Sequence, residues 1–161
     1  MGVKFRLLHR FKLLIFTSVL LFLYQTASAQ YFQFTGHRKS EVIPFKLVKN
    51  LMVIPLTING KGPYNFVLDT GVGLFLITDP KLVDTLQIEN LRSITIAGFG
   101  EGTDLGAYVT PGLSVQIGSA LAKSMPAAIL KNDVFELSGF AGMPIHGLIG
   151  YEFFSSFTVK I

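Results

Sequence analysis

The feature that most constrains this chain is the stretch Phe66-Val67-Leu68-Asp69-Thr70-Gly71-Val72-Gly73, after which Leu74-Phe75-Leu76-Ile77 resumes an apolar run. A buried-strand pattern stops abruptly at a carboxylate, a hydroxyl and a glycine, then starts again. Such a chain must turn sharply at the rim of a hydrophobic wall with an ionisable group in the turn, which is costly unless that group is satisfied or used. Gly71 supplies backbone freedom and lets another segment approach closely, and Thr70 supplies a hydroxyl that both donates and accepts. An aspartate at a strand end is also an ordinary turn former or helix cap, so the remainder of the chain has to decide between these readings.

Around that turn the sequence predicts strands. Residues 41–47 and 51–58 are rich in Val, Ile and Phe and are separated by Lys49-Asn50. The dense turn signal Asn59-Gly60-Lys61-Gly62-Pro63 returns the chain into residues 64–69, giving a hairpin that ends at Asp69. Thr78-Asp79-Pro80 has the form of a helix start, with Leu82, Val83 and Leu86 as the buried face of one short turn. Residues 91–96, 105–109, 113–117, 125–130 and 157–161 complete a series of short, closely spaced strands. That spacing argues an all-β barrel or sandwich over a βαβ sheet.

Composition enters through the first 29 residues. Lys4, Arg6, Arg10 and Lys12 precede an almost continuous apolar run over 13–23, and Ala27-Ser28-Ala29 supplies small residues before Gln30, the order of a cleavable export signal. The run is short for a membrane span, although an uncleaved anchor stays open as an alternative. All ten acidic residues lie after Gln30, whereas four of the fourteen Lys and Arg lie before it, so the remaining chain carries ten of each sign and is formally neutral. The basic balance belongs to the signal, which removes the argument for a nucleic-acid partner. With no cysteine there is neither a disulfide nor a thiolate metal site. The predicted organisation is a signal peptide over 1–29, a lead-in segment over 30–40 and one lobe over 41–161. Membrane contact is expected only during export, to a periplasmic or secreted location.

Two further stretches bear on the turn. Gly98-Phe99-Gly100-Glu101-Gly102 is a glycine-rich hairpin tip, and Gly147-Leu148-Ile149-Gly150 is a glycine-bounded apolar pair followed by a short helix-compatible segment. With Asp69-Thr70-Gly71 ahead of them, these motifs resemble, in kind and in order, one lobe of the retropepsin and pepsin-like aspartic peptidases. The segments 45–47, 51–58, 66–71, 98–102 and 145–151 are also similar to the first lobe of bacterial aspartyl proteases that carry two lobes and a C-terminal PDZ domain. The resemblance covers residues 42–161, nearly the whole chain after the signal. It implies a closed acid-protease barrel with one or two short helices and Asp69 as the catalytic carboxylate. Thr70, Gly71, Leu148, Ile149 and Gly150 would be its structural supports, with Gly98, Phe99, Gly100, Glu101 and Gly102 as a flap over an extended polypeptide substrate.

The implied reaction is peptide hydrolysis by a water shared between two carboxylates, without metal or organic cofactor. One Asp-Thr-Gly supplies one carboxylate, so the second must come from a homodimer partner or a second lobe. The strand expected at 157–161 ends with the chain, which favours a truncated two-lobed protein. Gly73 stands where these families commonly carry a Ser or Thr that hydrogen-bonds the catalytic carboxylate. The alternative reading is therefore a non-catalytic peptide-binding or scaffolding lobe of the same fold. Other chemistries have less support. The glycine loop lacks phosphate-binding spacing, and His146 has no carboxylate at ligand spacing beside it, with His37 the only other histidine after the signal. No Gly-x-Ser-x-Gly elbow is present. Tyr108 is equally suited to a flap aromatic or a buried strand position.

Overall fold

The computed structural model describes residues 12, 14–17, 31–96 and 104–161. Most of the expected signal peptide and the expected flap residues Gly98, Phe99, Gly100, Glu101 and Gly102 lie outside the described residues. Among the described residues no helix is long and apolar enough to cross a membrane.

The protein is all-β with short helices, as the strand spacing predicts. The strands are β1 (Gln33–Phe34), β2 (Lys46–Val48), β3 (Leu51–Ile58), β4 (Lys61–Leu68), β5 (Phe75–Ile77), β6 (Arg92–Ile96), β7 (Leu105–Ile117), β8 (Ala120–Leu130) and β9 (Gly147–Ile149). The helices are α1 (Leu82–Leu86), α2 (Leu137–Ala141) and α3 (Tyr151–Phe154). Neighbouring strands run β1-β8-β5-β9-β4-β3-β7-β6, with β2 on β3, and an additional β7–β8 ladder returns the sheet on itself. The ring β8-β5-β9-β4-β3-β7 encloses the main core, which includes Ile54, Phe66, Phe75, Ile77, Val115, Met125 and Ile129.

The β3–β4 hairpin follows its turn chemistry. Asn59 and Gly60 both have positive φ (50° and 74°), as a two-residue turn of the type favoured by Asn-Gly requires, and Ile58 pairs with Lys61 across it. At the predicted helix start, Asp79 accepts the Lys81 N–H (3.0 Å), and Leu82 and Leu86 are the buried residues of α1.

Several elements differ from expectation. Strand character in 41–47 is confined to Lys46 and Leu47 at the start of β2, and Glu41 instead accepts the backbone N–H (2.7 Å) and the hydroxyl of Ser119. The two strands expected at 105–109 and 113–117 are one long β7, whose register against β8 shifts between Thr110 and Leu113. Residues 157–161 form no strand. Phe157 and Val159 pack on the core while Thr158 and Lys160 are exposed, so the alternation is real, but no neighbouring strand completes a ladder. The polar lead-in also contributes to the core: Phe32 is 1% exposed, packs edge-on against Phe153 and donates its N–H to Ser156 Oγ (3.1 Å). α2 has no counterpart in the sequence reading.

Candidate active site

The aspartate sits where three strands meet. β4 runs into the turn and β5 leaves it, while β9 lies between them, parallel to β4 and antiparallel to β5. Leu148 of β9 pairs with Val67 on one side and Leu76 on the other. The apolar run thus splits around a second apolar segment from 80 residues further along, and neither β4 nor β5 leaves a free edge at the turn. Phe66 and Phe75, one from each flanking strand, stack with centroids 5.0 Å apart and are fully buried.

This insertion explains the glycines. A Cβ on Gly147 would overlap the Leu76 carbonyl oxygen and the Phe66 ring, and a Cβ on Gly150 would overlap the Asp69 carbonyl oxygen and lie 2.6 Å from that of Val72. Only a hydrogen fits at either position. Gly150 is the point at which the second segment passes against the backbone of the turn, so the expected pairing of Asp-Thr-Gly with Leu-Ile-Gly is present as direct packing.

Hydrogen bonds complete the arrangement. The Asp69 N–H donates to Ile149 O (3.0 Å), the Val72 N–H to Asp69 O (3.2 Å) and the Tyr151 N–H to Val72 O (2.9 Å). The Gly71 N–H donates to Asp69 Oδ1 (2.8 Å), which fixes one carboxylate oxygen against the turn. Asp69, Thr70 and Gly71 are exposed, whereas Ile149 and Gly150 are buried and Leu148 is half-buried. The structure therefore brings together all six residues that the sequence reading assigned to the turn and its support. The expected flap residues lie outside the described residues, while the strands flanking them, β6 and β7, pair from Arg92↔Val109 to Ile96↔Leu105. Beneath those strands, Leu74, Ile94, Ile96, Val109, Ala127 and Ala128 line an apolar depression of about 440 Å³. A larger groove of about 550 Å³ lies between the lead-in and residues 156–161, and its wall includes Leu68 but not Asp69.

The other candidates take structural places. His146 Nδ1 accepts the Asn65 N–H (3.1 Å), its backbone N–H donates to Asn65 O (2.8 Å), and its ring meets Tyr64 edge-on. Among the described residues no group of His, Cys, Asp or Glu could hold a metal. Tyr108 packs on the main core with Lys131 Nζ 4.9 Å from its ring centroid. The open surroundings of Gly73 were not legible in the sequence: a Cβ there meets nothing within 4 Å.

One residue escaped the sequence reading. Glu152 of α3 is 4% exposed, and its Oε1 accepts the Phe75 N–H (3.0 Å) at the start of β5. Burial pushes its carboxyl above the ordinary value, opposed by its own backbone N–H and that of Phe75. The available signal was a carboxylate set among Tyr151, Phe153 and Phe154, a composition in which a charged residue is out of place unless it faces a backbone donor.

Comparison with known proteins agrees with this geometry. Residues 54–153 match the aspartyl protease family model, a span that holds the Asp69 turn, β6, β7 and the Leu148-Ile149-Gly150 segment. Among solved structures the chain is similar to a retropepsin-like aspartic protease from Rickettsia conorii, with a TM-score of 0.52 and 18% identity over 78% of this chain and 90% of that one. No curated protein matches it. On the family match over residues 54–153, the chain belongs to the aspartyl protease family.

Proposed function

We propose that this chain is the catalytic lobe of an exported aspartic-type endopeptidase, with Asp69 as the carboxylate that activates water. The observation that carries the reading is the exposure of the Asp69 side chain on a turn whose backbone is held by Ile149 and packed against Gly150. A carboxylate presented in this way, with one oxygen anchored by Gly71 N–H, is oriented, and no ion pair engages it among the described residues. The apolar depression beneath β6 and β7 suits a hydrophobic side chain of an extended polypeptide.

The reaction needs a second carboxylate. Two carboxyl groups facing each other share one proton, so that one acts as base on the water while the other donates to the developing oxyanion. The second aspartate comes from another copy of the chain or from a second lobe, as in the two-lobed relatives that the sequence resembles. Val42 and Ile161, exposed apolar residues 93% and 81% accessible, line one groove and offer a surface that such a partner would cover. The mature protein begins at Gln30 and acts outside the cytoplasm.

The test is cleavage of a quenched fluorescent peptide library by the full chain over a range of concentrations. With a second copy as partner, turnover per chain falls on dilution. With a second lobe, the chain is inert at every concentration until that lobe is supplied. Asp69→Asn abolishes cleavage in either case and leaves the fold intact, since Oδ1 can still accept from Gly71. Cleavage that survives Asp69→Asn would refute the assignment. The open position at Gly73 favours one other reading, a peptide-binding lobe without catalysis, which predicts substrate-like peptide binding with no turnover in either assembly.

A further inference from the structure

The segment after Ile149 touches the Asp69 turn at more than the point where Gly150 packs. Ile149 O accepts the Asp69 N–H where β4 enters, and the Tyr151 N–H donates to Val72 O in the middle of the turn. Glu152 Oε1 accepts the Phe75 N–H where β5 leaves. Four consecutive residues thus hold the entry, the middle and the exit of the loop, and the last hold is the only one made by a side chain. We propose that Glu152 is a positioning residue for the Asp69 loop, fixing the amide at which the chain leaves the turn and thereby the direction in which the aspartate is presented.

The surroundings of Glu152 fit this role. Its helix is anchored from below, since Ser156 Oγ donates to Glu152 O (2.7 Å) and accepts the Phe32 N–H. Its other oxygen, Oε2, is buried with no hydrogen-bond partner among the described residues. A carboxylate in that position would leave a charge half-satisfied, whereas a neutral carboxyl carries its proton on Oε2 and keeps Oε1 as the acceptor. The groups acting on its titration are desolvation and the two backbone N–H groups of Glu152 and Phe75, with no charged side chain from β5, the lead-in or α3 among them. Burial favours the protonated carboxyl, whereas the Phe75 N–H favours the ionised one, so Oε1 accepts that amide in either state and the hold rests on its position under β5.

The proposal rests on the peptidase reading for its consequence but not for its geometry, so the experiment reads the loop first. Amide hydrogen exchange is measured on the full chain for wild type, Glu152→Gln and Glu152→Leu from pH 4.5 to 8. Glu152→Gln keeps the acceptor oxygen and the shape without a titrating group. Expected in Glu152→Leu is at least tenfold faster exchange at Phe75 and at Gly71 and Val72, with the Ile54–Phe66 ladder unchanged. Glu152→Gln, which keeps the acceptor oxygen, retains wild-type protection at these loop amides after correction for intrinsic rates. In whichever assembly cleaves peptide, Glu152→Gln retains kcat, while Glu152→Leu loses kcat with KM little changed. Uniformly faster exchange across the sheet in Glu152→Leu, or loop exchange in Glu152→Gln as fast as in Glu152→Leu, overturns the positioning role. If no assembly cleaves peptide, the peptidase reading fails and the exchange data still decide the role of Glu152 in the loop.

Discussion

Gly150 and Gly73 lie on opposite sides of the same turn and make a paired test of how it is built. In Gly150→Ala the new methyl meets two backbone carbonyl oxygens, those of Asp69 and Val72, neither of which can swing aside as a side-chain tip can. Relief requires the 150 backbone to move away from the turn, and that motion stretches the Asp69 N–H to Ile149 O and Tyr151 N–H to Val72 O bonds. Overpacking of this kind costs about 1–3 kcal/mol, with the upper end expected against rigid backbone. A weakened hydrogen bond adds about 1 kcal/mol. A loss of about 3–4 kcal/mol is a large part of a typical domain's stability and lowers the melting temperature by about 10–15 °C. Gly73→Ala adds the same methyl where nothing lies within 4 Å, and its effect stays within about 0.5 kcal/mol or is slightly favourable through the unfolded chain. Urea unfolding of the two variants beside wild type measures both values. Equal midpoints for Gly150→Ala and Gly73→Ala would refute the claim that β9 is wedged against the backbone of the turn.

Other outcomes follow from the same contacts. Gly73→Ser folds with wild-type stability and, in an assembly that cleaves peptide, raises kcat by about tenfold, the worth of one hydrogen bond to a charged group; kinetics at saturating substrate measure it, and an unchanged rate shows that the hydroxyl does not reach Asp69. Phe32→Ala destabilises the chain by about 3–5 kcal/mol, because a fully buried ring packed against Phe153 is removed from the lead-in, and thermal unfolding checks it. The raised carboxyl of Glu152 gives the folded state a tighter hold on its proton than the unfolded chain, whose value lies near 4.5. The stability it contributes is full below that value and is lost as pH rises through the folded pKa, so the urea midpoint of wild type falls relative to Glu152→Gln over that window. Edman sequencing of exported protein is expected to start at Gln30, and a start at Met1 would make residues 13–23 an anchor.

The sequence by itself determined what its local chemistry could enforce. Asn59-Gly60 demanded a tight hairpin turn, the apolar run 51–58 became β3 over the same residues, and the apolar run ending at Asp69 fixed where β4 must stop. The carboxylate, its adjacent glycine and the Leu148-Ile149-Gly150 segment were legible because each is a local interruption or completion of an apolar pattern. Whether a residue is in a strand was less legible, because a strand exists only with a neighbour. Residues 157–161 keep the inside-outside alternation without a ladder, while the polar lead-in acquires one with β8 through Gln33↔Leu121 and Phe34↔Ala120. Only the tertiary structure decided that β9 enters between β4 and β5, and hence that Gly147 and Gly150 must lack side chains while Gly73 need not. The same insertion brings Glu152 under the amide of Phe75. In sequence it is one carboxylate among aromatics, and its partner is a backbone group 77 residues away, which no local pattern encodes.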